Sequence, residues 1–199
     1  TARADDSLPA QEIKGSLLMV DIIKQAIRAW QTVLAEPVTI RVDGTPFAVT
    51  PQMTRRARGR ARASRRPHNR ARQIFHDKLV EEIVNAYAAE IGTDPTQPDR
   101  PGLLLSASDY ADLTEDLLNS PEVQALVEDN WPILTAPQVV ERLLTDRRHL
   151  EEASHTILSD DDVDYLLRAK DSPFTVPDVP LLDEAAEQLV VREPGEVET

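Results

Sequence analysis

Arginine is the residue type in this sequence whose side chains are best placed to bind a partner. Nine arginines and no aspartate or glutamate occur between Pro51 and His76. On a helix, Arg55, Arg58 and Arg62 fall on one face. Such a face can bind phosphate groups, with an affinity that falls as salt rises, or it can pair with carboxylates. The candidate partner-binding residues are Arg55, Arg56, Arg58, Arg60, Arg62, Arg65 and Arg66.

Three interpretations of this arginine segment are open. Nucleic-acid contact by an arginine-rich helix over residues 55–72 would use phosphates, because residues 51–74 contain no aromatic side chain that could stack on a base. Pairing with carboxylates would involve a partner protein or an acidic helix of this chain. That acidic helix carries Asp109, Asp112, Glu115 and Asp116. In the third interpretation the arginines form a solvated face.

Residue patterns that could support catalysis are incomplete. Leu181–Ala185 contains the Asp-Glu pair of an NTPase metal strand, but Pro177 and Pro180 precede it and a helical pattern follows. The sequence has no glycine-rich G-x-x-x-x-G-K-[ST] phosphate loop and no G-x-S-x-G motif around a nucleophilic serine. We therefore expect no catalytic residue, no bound cofactor and no enzymatic activity of this chain.

Metal ligation has little support either. The chain has no cysteine, which excludes disulfides and thiolate metal ligands. The helical H-E-x-x-H signature is missing, and the acidic run 160–162 suits a helix start. We expect no metal site. The four histidines of the chain are His68, His76, His149 and His155.

Helical periodicity dominates the elements that must carry these residues. Apolar steps of three and four predict a helix over 15–36, and a wide apolar stripe predicts a long helix from His68 to Ile91. Asp43-Gly44, between two alternating runs, predicts a β-hairpin. The fold class is therefore mainly α, a multi-helix domain with one small hairpin near residues 38–49.

Proline and glycine divide the chain into segments. Residues 1–14 are predicted to be disordered or a linker, and 15–92 to hold the first helix, the hairpin, the arginine segment and the long helix. A proline-rich loop over 93–102 precedes short capped helices in 103–190, which pack on the first part. Residues 191–199 form an acidic tail.

Outside residues 51–76 the chain is strongly acidic. The net charge is −13, and that remainder alone carries 13 basic and 35 acidic residues, about −22. Such a body is attracted to basic surfaces. No run of 18 apolar residues and no signal peptide at the start are present, so we expect a cytoplasmic location and no membrane partner.

Four stretches together resemble one family of proteins. They are Lys14-Gly15-Ser16, His68-Asn69-x-Ala71-Arg72-x-x-Phe75, Trp131-Pro132-x-Leu134-Thr135 and the longer stretch Phe174–Ala185. The last is similar to the W-T-x-x-D-V-x-L-L-D-E-A segment of actinobacterial HelD-type proteins, with Phe174 where tryptophan is expected. These are UvrD-like, superfamily 1 helicase-related ATPases that bind RNA polymerase and free it from nucleic acid.

The resemblance covers about residues 14–190 and implies a clamp-opening insertion of the first motor domain. The phosphate-binding loop of the ATPase would precede the insertion and its Asp-Glu motif would follow it. The implied partner is the core of bacterial RNA polymerase, whose primary channel the domain enters between the clamp and the facing lobe. We expect this non-catalytic module to be monomeric, with nucleic acid as a secondary partner. A loop toward the polymerase active site would begin at 190–199.

Overall fold

Helices form most of the chain in the computed structural model, which describes residues 6–92 and 105–190. One antiparallel hairpin and one 3-10 turn (Val176–Asp178) complete the described elements. The predicted fold class, mainly α with a small hairpin, is confirmed. The strands are β1 (Val38–Val42) and β2 (Thr45–Val49), and the helices are α1 (Leu8–Lys14), α2 (Leu18–Arg28), α3 (Pro51–Ala63), α4 (His68–Gly92), α5 (Ala107–Leu118), α6 (Pro121–Asn130), α7 (Ala136–Thr145), α8 (Arg147–Ala153), α9 (Asp160–Leu166) and α10 (Val179–Leu189).

The start of the chain differs from the predicted disordered segment 1–14. Ser7 caps α1 by accepting the amide N–H of Ala10, and Lys14 at the end of this helix is buried. Gly15 follows as the C-cap, so the predicted helix over 15–36 is shorter and begins at Leu18. Tertiary contacts of Lys14 hold this polar stretch in place. Residues 1–5 and the predicted tail 191–199 lie outside the described residues.

The described chain forms two compact units that interleave in sequence. The first takes in residues 6–30, 67–69 and 133–190, and the second takes in 31–66, 70–92 and 105–132. The proline-rich loop 93–102 does not separate the two units, because the described residues on both sides of it, 70–92 and 105–132, belong to the second unit. The loop itself lies outside the described residues, as do all of residues 93–104.

The first unit packs the apolar stripe of α2 against α7, α8 and α10. The α2 stripe consists of Met19, Ile22, Ile23, Ala26 and Ile27, all buried. Each large apolar side chain buried in this way contributes about 1.5–3 kcal/mol. Val20 lies outside this stripe and is 37 % exposed.

The second unit is built around the hairpin and α4. Asp43 and Gly44 both have positive φ, 48° and 75°, as a two-residue turn between paired strands requires. One face of the hairpin is buried, and Phe47 packs edge-on against Tyr87 of α4 with ring centroids 5.9 Å apart. Two strands alone are marginal in water, so this helix supplies the missing support.

No helix in the described ranges combines the length and the apolar character that a bilayer span demands. The longest, α4, carries charged residues along most of its length.

A buried ionic cluster joins distant segments of the first unit. Lys14 Nζ lies 2.8 Å from Asp6 and 2.7 Å from Asp178 Oδ1, and the side chains of Lys14 and Asp178 are 1 % and 0 % exposed. Arg168 Nη1 lies 2.6 Å from Asp178 Oδ2, which also accepts the N–H of Thr175 at 2.8 Å. One carboxylate therefore receives three donors, from the end of α1 and from the segment between α9 and α10.

The cluster sets the ionisation of Asp178. Burial alone raises the pKa of this carboxyl, but the hydrogen bonds from Lys14, Thr175 and Arg168 outweigh burial, so the pKa lies below its ordinary value. The ionised form therefore stabilises the fold above about pH 4, and that contribution is lost as the pH falls through the lowered pKa.

We predict that Asp178→Asn lowers the free energy of unfolding by about 3 kcal/mol at pH 7, because it leaves buried cations short of a counter-charge. Urea denaturation measures the change, and the difference from wild type should shrink at acid pH. Asp183→Asn, at an exposed position on α10, is the control and should change little. Equal stability of the Asp178 variant and wild type at pH 7 would contradict the prediction.

Candidate functional site

The arginine helix α3 is fixed by a cap and by small residues. Thr50 accepts the N–H of Met53 at 3.4 Å, and Pro51 occupies the first turn, both of which are typical of a helix start. The buried residues of α3 are Thr54, Ala57 and Ala61. Because these side chains are short, the α3 backbone lies close to the core and the long arginines occupy the remaining sides of the helix.

Two of the seven candidate arginines are anchored within the second unit. Arg58 donates from Nη1 to the backbone oxygen of Gln31 at 3.2 Å, and Arg62 donates from Nε to the Gln31 side-chain oxygen at 2.8 Å. Both arginines are half-buried, and Gln31 is buried. These two side chains therefore hold α3 in place, which the sequence did not predict.

A third arginine has an acidic partner on α4. Arg56 Nη1 lies 3.0 Å from Glu82 Oε2, and Lys78 Nζ lies 3.2 Å from the other oxygen of the same carboxylate. The Arg56 side chain is 59 % exposed, so this pair contributes at most about 1 kcal/mol.

The remaining four candidates form an exposed cationic surface. Arg55 contacts only Gln52 on its own helix, at 3.2 Å, whereas the guanidinium groups of Arg60, Arg65 and Arg66 have no partner among the described residues. This surface, composed of Arg55, Arg60, Arg65 and Arg66, is called the cationic surface below. It is the part of the predicted site that is available to a partner.

The acidic helix α5 is not the partner of these arginines. Asp109 is engaged at the helix start, where its Oδ2 accepts from the Ser106 hydroxyl at 2.7 Å and the Ser106 N–H at 2.8 Å. Those two hydrogen bonds lower its pKa. The carboxylates of Asp112, Glu115 and Asp116 are exposed and form no ion pair with a described residue. Among the described residues, α5 therefore does not supply the carboxylate partners of α3, which was one of the open interpretations of the arginine segment.

Residues of the stretches that resemble HelD-type proteins make contacts that hold the fold together. Asn69 donates to the Leu134 backbone oxygen at 2.9 Å and accepts the Leu134 N–H at 3.0 Å. Arg72 donates to the Trp131 oxygen at 3.0 Å, and Trp131 stacks on Phe75 with ring centroids 5.5 Å apart. Arg72 is thus a packing residue of the wider segment 55–72.

The other patterns considered for chemistry are also structural. Leu181–Ala185 lies in α10, with Leu181 and Ala185 buried, as the helical pattern predicted. The run 160–162 begins α9 in a capping box between Ser159 and Asp162. Burial is the main cause of the lowered pKa values of His76 and His149. In the described ranges, no three metal-binding side chains are grouped so that they could hold an ion.

No protein-family model matches the chain, and no curated protein sequence matches it either. The HelD-type resemblance therefore stays a prediction from the motifs.

Gly59 lies between Arg55 and Arg62 on α3, and a Cβ there would meet nothing within 4 Å. We predict that Gly59→Ala raises the free energy of unfolding by about 0.5–1 kcal/mol, because alanine restricts the unfolded chain without disturbing the helix. Thermal unfolding measures this. Gly44→Ala is the matched contrast and should destabilise, since Gly44 has a φ of +75°. A loss of stability in the Gly59 variant would contradict the prediction.

Proposed function

We propose that this chain is a non-catalytic RNA polymerase-binding module of a HelD-type factor. It enters the primary channel of the bacterial core enzyme and holds the clamp away from the facing lobe. This helps to release nucleic acid and to recycle the polymerase in the cytoplasm. ATP turnover belongs to the parent protein, and hydrolysis by this chain alone would contradict the proposal.

The proposal is based on the resemblance of the Phe174–Ala185 stretch and on its position in the fold. Asp178, in the middle of that stretch, is the buried acceptor of the ionic cluster, and Lys14 from the first quoted stretch is its partner at 2.7 Å. Residues with such roles specify how a chain folds. A resemblance concentrated on them supports a shared fold with HelD-type proteins, and through it a shared partner.

The charge of α5 supports the same partner. Every residue of this helix is described, and Leu117 is its one buried residue. Asp112, Glu115 and Asp116 therefore present unpaired carboxylates to solvent. A channel that holds DNA is lined with basic groups, so an acidic helix is steered toward it and occupies the place of the phosphates.

A second candidate function is phosphate binding by the cationic surface. The unpartnered guanidinium groups of Arg60, Arg65 and Arg66 favour it, because each could replace a counterion on a nucleic-acid backbone. In the polymerase proposal the same arginines contact acidic surface of the enzyme. The two functions differ in which helix, α3 or α5, governs binding.

We predict that the chain binds core RNA polymerase and that duplex DNA displaces it. A fluorophore on Gln25→Cys reports binding by anisotropy. Gln25 is exposed on α2, and the chain has no other cysteine to label. Neutralising Asp112, Glu115 and Asp116 to Asn, Gln and Asn should weaken polymerase binding about tenfold. The control, Glu12→Gln, Asp21→Asn and Glu36→Gln, changes the charge equally at exposed positions outside α5.

A variant of the cationic surface tests the nucleic-acid function. A triple variant of Arg55, Arg60 and Arg66 to Glu tests the cationic surface and spares Arg58 and Arg62, which hold α3 to Gln31. Binding to duplex DNA that this variant abolishes, together with no binding to polymerase, would replace the polymerase proposal with the nucleic-acid function.

A further inference from the structure

A chemically mixed cleft of the first unit lies beside the end of α2. It has a volume of about 620 Å³ and is formed by Trp30, the outer face of α7, the beginning of α8 and Lys170. A cleft of this size accommodates a ligand as large as a nucleotide. The α7 residues that line it are Gln138, Glu141, Arg142 and Thr145.

Trp30 and Arg142 form the wall with the most specific chemistry. The Arg142 guanidinium carbon lies 4.5 Å from the centroid of the Trp30 ring system, which orders a side chain that would otherwise be mobile. Arg142 forms no ion pair with a described residue. The indole Nε1 is buried and has no acceptor in the described part of the chain. A guanidinium ordered by an aromatic ring can stack on a further planar group.

The other charges of the cleft differ in their availability. Asp164 and Glu151 pair with Arg147, and Glu152 pairs with Arg148 at 2.9 Å. The carboxylate of Asp146 accepts the His149 N–H at 3.2 Å and caps α8. The cleft residues Asp146, Arg147 and Arg148 are therefore already engaged.

Three charged groups of the cleft have no charged partner in the described ranges: Arg142, Lys170 and Glu141. Two cationic donors suit a phosphate group, and a carboxylate accepts from a hydroxyl or an amine. A planar ring to stack on Arg142, a phosphate and hydroxyl groups occur together in a nucleoside phosphate.

We propose that this cleft binds a nucleoside phosphate unit. The ring stacks on the guanidinium of Arg142, the phosphate contacts Lys170 and Arg142, and Glu141 accepts from the sugar or an exocyclic amine. The ligand is bound and no bond is broken. The site belongs to the first unit, whereas the cationic surface belongs to the second, and the inference does not depend on polymerase binding.

Calorimetric titration of the whole chain with adenosine diphosphate tests the proposal. We expect saturable binding with a Kd below about 1 mM, and affinities at least about tenfold weaker for adenosine and for pyrophosphate, since each offers half of the contacts. A short single-stranded oligoadenylate distinguishes a free nucleotide from a nucleic-acid strand as the source of the unit. Tighter binding of the strand supports the same site with nucleic acid as its ligand.

Variants separate the contacts. Arg142→Ala should weaken binding of adenosine diphosphate at least tenfold, and Lys170→Ala should weaken it about three- to tenfold. Arg142→Lys keeps the charge without the planar group, so it should lose the preference for adenosine diphosphate over pyrophosphate. Lys24→Ala, an exposed cation of α2 outside the cleft, is the matched control and should bind as wild type does. Circular dichroism verifies that each variant is folded.

The proposal is overturned if folded wild-type protein binds none of the probes at millimolar concentration. It is also overturned if Arg142→Ala binds adenosine diphosphate as well as wild type does. Equal affinities for pyrophosphate and adenosine diphosphate would overturn the assignment of a stacked ring.

Discussion

The fold depends on how it compensates a fully buried carboxylate. An unpaired charge in a protein interior costs several kcal/mol, so Asp178 can occupy its position only when its donors are in place. Lys14 comes from the end of α1, and Arg168 and the Thr175 N–H come from the segment between α9 and α10. Apolar packing tolerates small shifts between segments, whereas hydrogen bonds to the Asp178 carboxylate require each donor at a defined position. The cluster thus makes α1 a part of the first unit.

The same principle explains which residues of the quoted motifs matter. Asn69 satisfies both backbone groups of Leu134, and Arg72 satisfies the carbonyl of Trp131. Each of these polar side chains replaces water for a backbone group near the core, where an unsatisfied group costs about 1–3 kcal/mol. Substitution at such positions is penalised whatever the protein binds. A motif built from them indicates a fold strongly and a partner only through that fold.

Local signals explain which parts of the fold the sequence predicted. The Asp43-Gly44 turn, the Thr50 cap and the long helix α4 all follow from residues within a few positions of one another. The helix α1 also has a local cap at Ser7, but its attachment to the first unit depends on the contact of Lys14 with Asp178, far along the chain. The interleaving of the two units likewise rests on contacts between segments distant in sequence. The arginine face was predictable from composition, but the attachment of Arg58 and Arg62 to Gln31 was not, since helical spacing gives no information about which neighbour packs alongside.

The unpaired charges of the second unit restrict what its partner can be. The cationic surface, on α3 and the turn after it, and the carboxylates of Asp112, Glu115 and Asp116 on α5 form no ion pair with a described residue. A nucleic acid could neutralise only the arginines and would be repelled by α5. A protein with adjoining basic and acidic areas could satisfy both sets, and unlike charges placed together across an interface also fix its register. The presence of both signs on one unit therefore agrees with the proposal of a protein partner.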